Sequence, residues 1–227
     1  MERKKLYNIL SLVSNVLIII GVVWSVAFYF YHDDGSGNML AKGAQCFRFF
    51  TIDSNILVAI SCAIYLYFNI LRCMGKEIQT PLWVKVFRYV AVNSVAVTFF
   101  VVLFFLAPMV VITQGLSPWY LYEDNCIILH ALAPMLAMLC VILFEKEDRI
   151  EKKYTYFSFT TVTIYGIIYF ICVVFAKVWP DFYSFTFDGR YYLSPIAAIC
   201  VFGMAYLGSE LVYWLQKVCI DKLPENN

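Results

Sequence analysis

The sequence predicts an all-α membrane protein built as a bundle of six transmembrane helices, and three observations carry that prediction. Of 227 residues, 62% are hydrophobic and only 15% charged, against roughly 45–50% apolar and about 25% charged in soluble domains. Six apolar stretches can be drawn, at residues 7–31, 48–72, 84–112, 126–144, 156–176 and 192–216. Each approaches or exceeds the ~20 residues that cross a bilayer as helix. Lys and Arg, finally, are distributed unevenly between loops on alternating sides.

The first stretch follows MERKK, so it has the layout of a signal peptide. Its apolar part is too long for one and its exit, FYFYHDDG, lacks a small-x-small cleavage site, so a retained helix is expected. His32 beside Asp33 and Asp34 at that exit reads as a solvated loop residue. The second stretch carries Thr51, Asp53, Ser54 and Asn55, the third Asn93, the fourth His130 and Pro134, and the sixth Glu210. The fifth runs through aromatics into Trp179 and Pro180. Connecting loops are short and without repeats, so a single membrane domain with no separable catalytic module is expected.

Orientation follows from the basic residues. The amino terminus, the second and fourth loops with their adjoining helix ends, and the tail hold thirteen Lys and Arg, including Arg72, Lys85, Arg88, Lys146 and Lys152. The other side holds four, Lys42, Arg48, Lys177 and Arg190. This places both termini in the cytoplasm, as an even number of helices requires. A net charge of +1 offers nothing to a nucleic acid. The expected setting is a bacterial cytoplasmic membrane, or the endoplasmic reticulum or plasma membrane in a eukaryote.

Eight cysteines show no CxxC and no His/Cys cluster, so neither a zinc-type site nor a cofactor is expected. Cys62, Cys140, Cys172 and Cys200 fall inside apolar stretches and read as small buried hydrophobes. Cys46 and Cys126 lie at the outer ends of helices 2 and 4, where a disulfide between them is left open.

An ionisable side chain inside a spanning helix costs a few kcal/mol by insertion scales, which makes Asp53, His130 and Glu210 functional candidates. Asn15, Asn93 and Ser54 read more simply as hydrogen-bonding links between helices. Helices 2 and 4 run in the same direction, and Thr51 and His130 lie three and four residues into them, so a hydroxyl and an imidazole share one depth and can meet. A Thr hydroxyl is a poor nucleophile until a base takes its proton, and neutral His does this, so the pair suits acyl transfer. Pro134 cannot donate to the carbonyl of His130, which should kink the helix and release an acceptor beside the imidazole. Arg48, three residues before Thr51, would hold a substrate head group from the same helical face. Asn55, one turn below Thr51, would serve the substrate as an oxyanion donor.

The segments FRFFTIDSN (Phe47 to Asn55), LHALAP (Leu129 to Pro134) and YLGSEL (Tyr206 to Leu211) resemble the signature regions of the androgen-induced membrane-protein family and its bacterial relatives. These are six-helix hydrolases of fatty acid esters of hydroxy fatty acids. The resemblance implies a membrane-embedded threonine hydrolase, its nucleophile falling on Thr51 and its base on His130. It departs where His130 and Pro134 stand four apart instead of five, and where Ser209 separates Gly208 from Glu210.

A lipid-ester hydrolase is therefore the leading expectation, with a lipid substrate and no metal. The alternative is a transporter or lipid-binding protein in which Asp53, His130 and Glu210 form a path. A structural membrane subunit would leave those residues without purpose.

Overall fold

The computed structural model describes residues 2–31, 43–187 and 189–221. His32, Asp33, Asp34, Lys42 and Lys222, which entered the sequence reading above, lie outside the described residues. Six helical stretches follow one another: α1 (Glu2–Tyr31), α2 (Phe50–Cys73), α3 (Leu82–Ile112), α4 (Ile128–Phe144), α5 (Lys152–Phe175) and α6 (Tyr191–Cys219). All but α4 are long and apolar enough to cross a membrane. No strand occurs among the described residues.

The helix ends have local causes. Pro81 stands just ahead of α3, where its fixed φ of −58° and missing N–H fit a helix entry. At the end of α2 the amide of Gly75 donates to the Arg72 carbonyl and that of Lys76 to Leu71, both at 3.0 Å. This 6→1 and 5→2 pair needs the left-handed φ of +80° that glycine adopts without a Cβ clash. Gly115 closes α3 with a single bond to Val111.

Packing is organised around α3, which touches α2, α4, α5 and α6. Eight consecutive residues, Ala91 to Thr98, are buried, a pattern that only a helix surrounded on all sides produces. The outward faces are apolar: Leu17, Ile20, Val23 and Trp24 on α1, and Ile164, Ile167 and Ile168 on α5, are all exposed. Inward positions instead carry Ser11, Ser14, Asn15 and Ser25 on α1. An apolar exterior over a partly polar interior is the distribution that hydrocarbon selects, and it marks an integral membrane protein. Ser54 and Thr98 link α2 to α3 through a 2.9 Å hydroxyl pair.

Two prolines interrupt this regularity in the same way. Pro108 and Pro134 each follow a π-turn, Val102–Leu106 and Ile128–Leu132. The wider turn absorbs the ring of a residue that cannot donate to the preceding turn.

Candidate active site

Thr51 is the second residue of α2, buried at 6% exposure. His130 lies in the π-turn of α4, buried at 5%. The structure brings them together: Thr51 Oγ1 stands 3.5 Å from His130 Nε2. The other ring nitrogen, Nδ1, lies 2.5 Å from the Leu121 carbonyl in the loop between α3 and α4. A carbonyl only accepts, so Nδ1 carries the hydrogen, and in the neutral ring Nε2 is a bare acceptor facing the threonine. Tyr122 packs its ring edge-to-face on the imidazole, with centroids 6.3 Å apart.

The released carbonyl is not that of His130. In a π-turn the pairing runs five residues back, so Pro134 leaves Leu129 without a donor. Asn55 fills the gap. Its amide nitrogen donates to the Leu129 carbonyl at 3.1 Å and to the Thr51 carbonyl at 2.7 Å, which ties α4 to α2 immediately below the pair. Both amide hydrogens are consumed there, so the expected oxyanion role of Asn55 is corrected to one of positioning.

Arg48 also differs from expectation. It ends a 3₁₀ turn, Gly43–Arg48, and Phe49 is extended at φ −93° and ψ 128°, so the chain breaks before α2 begins. The spacing of three between Arg48 and Thr51 therefore does not put them on one helical face. Arg48 is half-buried and contributes its carbonyl, which accepts from the Tyr165 hydroxyl at 2.5 Å.

Beside Thr51 opens a cavity of about 530 Å³ between α3, α5 and α6. Its wall is almost wholly apolar, formed by residues such as Val97, Val101, Val162, Gly166, Ala198 and Val201. The segment between α5 and α6 closes one side, placing Tyr183, Phe185 and Thr186 on the wall. Asp181 holds that segment in place, accepting from Tyr169 (2.6 Å), from the amides of Phe185 (2.9 Å) and Thr186 (2.7 Å), and from the Thr186 hydroxyl (2.5 Å). Burial opposes its charge, but the bonds from Thr186, Tyr169 and Phe185 keep the Asp181 carboxyl below the ordinary carboxylate range. The Tyr183 hydroxyl accepts from the Phe50 amide at 3.1 Å. Burial pushes its phenol up to about 12, so it stays protonated. Sequence reasoning missed Tyr183, although the aromatic density after Tyr165 and the lone Asp181 were visible.

Other expected residues fall elsewhere. Asp53 is half-buried and makes no hydrogen bond or ion pair among the described residues. Glu210 is paired with Lys152 at the start of α5. Cys46 and Cys126 are not joined by a disulfide but lie in one buried cluster with Tyr29, Ile52 and Leu129, and the Tyr29 hydroxyl lies 2.8 Å from the Cys126 sulfur. Among the described residues no three His, Cys, Asp or Glu side chains assemble as a metal site.

At the opposite end of α2 a second polar region occurs that loop counting overlooked. Arg88, taken above as a loop-side charge, is 3% exposed and grips Glu145 through Nε and Nη2, both at 3.1 Å. It also donates to Asn15 (2.8 Å), Ser61 (3.1 Å) and Cys62 (3.0 Å). Glu145 further accepts from Ser11 at 3.1 Å and Cys140 at 3.2 Å. Beside it Asp148 binds Arg72 at 2.8 Å, Thr80 at 2.9 Å, Lys85 at 3.2 Å and, at short range, Tyr65. Burial works against the Asp148 charge, yet Arg72 and Tyr65 hold its carboxyl below the usual range.

Comparison with protein-family models, with curated proteins and with solved structures gives no match. Function is therefore read from the site itself.

Proposed function

We propose that this protein is an intramembrane hydrolase of lipid esters, with Thr51 as nucleophile and His130 as its base. The observation that carries the reading is the bare Nε2 of a buried histidine, oriented by the Leu121 carbonyl, 3.5 Å from a threonine hydroxyl on the wall of an apolar cavity. Nucleophile, base and orienting acceptor form the relay that activated hydroxyls use, and unliganded sites are often looser than a formed hydrogen bond. The cavity falls within the roughly 300–1,000 Å³ of ligand pockets and suits an acyl chain.

In this mechanism His130 Nε2 takes the Thr51 proton as Oγ1 bonds to the ester carbonyl carbon, whose π electrons move onto its oxygen. Collapse expels the alcohol, which leaves with the proton from His130. Water then attacks the acyl-threonine, His130 takes its proton, and the fatty acid departs as Thr51 is reprotonated. The motif resemblance favours fatty acid esters of hydroxy fatty acids as substrate, and the androgen-induced membrane-protein family as kin. The transporter alternative would need a connected polar path, whereas Glu210 is engaged by Lys152 and the two His130 nitrogens face Leu121 and Thr51.

The proposal includes six spans, both termini cytoplasmic, most simply in a bacterial cytoplasmic membrane. The sixth span is α4, whose 17 residues, Ile128–Phe144, sit at the lower limit of about 17 for a crossing helix. The acyl lipid would enter sideways from the outer leaflet, where the Thr51 end lies in this orientation.

Labelling purified protein with a fluorophosphonate and mapping the adduct tests the chemistry. A label on Thr51, lost in His130→Ala, is expected. Ester turnover that survives Thr51→Ala would remove the threonine from the mechanism. For topology, a cysteine introduced at Trp119 should react with an impermeant reagent from outside and one at Lys153 should not; equal reaction overturns the orientation.

A further inference from the structure

The reaction proposed above builds negative charge on the carbonyl oxygen, and neither Thr51 nor His130 neutralises it there. In an apolar cavity the donors that meet this charge must be in place beforehand. Asn55 is excluded because both of its amide hydrogens go to backbone carbonyls. Resting on the hydrolase reading, we propose that Tyr183 is a further catalytic residue, which donates its phenolic hydrogen to the oxyanion formed on the Thr51 adduct.

Four observations converge on it. Tyr183 and Thr51 line the same cavity, and the Tyr183 ring stands edge-to-face on that of Tyr165, on the same wall, with centroids 6.4 Å apart. The Tyr183 hydroxyl already accepts from the Phe50 amide at 3.1 Å, so its own hydrogen remains to be given. Tyr165 does not compete as a donor, because its hydrogen is committed to the Arg48 carbonyl at 2.5 Å. When Oγ1 bonds to the substrate carbon, the new oxyanion forms within the cavity whose wall Thr51 and Tyr183 share.

The local fold is built to hold this group. The Tyr183 amide donates to the Tyr169 hydroxyl at 3.2 Å, and Tyr169 in turn is fixed by Asp181. The ring packs against Phe182 and Phe185 at centroid distances of 4.7 and 5.3 Å. Ser184, the next residue, sits at φ +55° and Phe187 at +49°, left-handed backbone that non-glycine residues adopt at a cost. Strain of this kind persists where surrounding contacts over-determine a position, and it concentrates at working sites. The first turn of α2 adds polarity of the same sign, since the Thr51 amide has no carbonyl partner within its own helix.

The test compares wild type, Thr51→Ala and Tyr183→Phe on a p-nitrophenyl acyl ester in micelles. It adds inhibition by a long-chain trifluoromethyl ketone, which forms an oxyanion at the site, and by the matching methyl ketone, which does not. Tyr183→Phe should lose about 100-fold in kcat with KM little changed, the effect of removing one oxyanion donor. Affinity for the trifluoromethyl ketone should fall in parallel while that for the methyl ketone is kept. Should Tyr183→Phe fail to fold, a ring-fluorinated tyrosine at position 183 preserves the shape and donates more strongly, and trifluoromethyl ketone affinity should rise. A Tyr183→Phe rate within threefold of a Thr51-dependent wild type overturns the role of Tyr183 and leaves the hydrolase standing. Equal loss for both ketones, or unchanged affinity of the fluorinated protein, does the same. A wild type with no Thr51-dependent turnover fells the hydrolase reading and this role with it.

Discussion

Two polar regions are set into the same apolar bundle, one around Thr51 and His130 and one around Arg88 and Glu145, and they are built on opposite terms. Around Arg88 the donors meet acceptors at 2.8–3.1 Å, both carboxylate oxygens of Glu145 are engaged, and side chains from α1, α2 and α3 meet Glu145 just beyond the end of α4. The small space beside it, near Tyr65, Lys85 and Tyr89, holds about 10 Å³, enough for one water at most. Around Thr51 the key contact is 3.5 Å, the Asn55 side-chain oxygen has no partner among the described residues, and a cavity of about 530 Å³ lies alongside. A saturated network beside no space locks helices together. Groups with unused capacity beside apolar space are available to a substrate.

The largest effect that would break this contrast is chemical. Thr51→Ala, His130→Ala and the double variant should each lose several orders of magnitude in ester hydrolysis, nearly equally, because nucleophile and base act as a unit. Their thermal unfolding in detergent should stay close to wild type. A double variant far worse than either single would show that the two do not work together.

Next comes the converse at the other end. Arg88→Ala or Glu145→Ala strands a buried charge and should cost about 3–5 kcal/mol. Replacing both by apolar residues, Arg88→Met with Glu145→Leu, should recover most of that loss in chemical unfolding. Specific activity of the folded fraction should hold throughout; a collapse of turnover in a stable double variant would give this region a part in function.

Asn55→Ala tests the link between structure and chemistry. The Leu129 carbonyl loses its donor, which should cost about 1–3 kcal/mol. Turnover should fall roughly 10- to 100-fold, because the registry between Thr51 and His130 is released and small misplacements are expensive. Unchanged turnover would show that the π-turn alone sets His130. The smallest effect expected is that of Asp53→Asn, within about 0.5 kcal/mol and twofold in rate, because the carboxylate makes no bond among the described residues.

Much of the fold was legible because hydrocarbon imposes long apolar runs, and the helical stretches lie within a few residues of those drawn from hydropathy alone. Depth counting brought Thr51 and His130 to one level because two helices of the same direction share a 1.5 Å rise. The same counting failed for Arg48, where the extended Phe49 cuts the helix that the spacing assumed. It misjudged the acceptor freed by Pro134, since one residue of π-turn moves the orphan carbonyl from His130 to Leu129. Loop charge misled for Arg88, because a basic residue near a helix end looks alike whether it faces water or Glu145.

By itself, then, the sequence determined the all-helical apolar architecture and the two residues that meet, since these depend on composition and on a fixed helical rise. Only the tertiary structure decided what surrounds them: the Leu121 carbonyl that sets the histidine tautomer, Asn55 spent on the backbone, and Tyr183 delivered from a segment more than fifty residues beyond His130. Such partners come from turns and loops whose path follows from packing, and no periodicity in a chain encodes where a folded loop will set a hydroxyl.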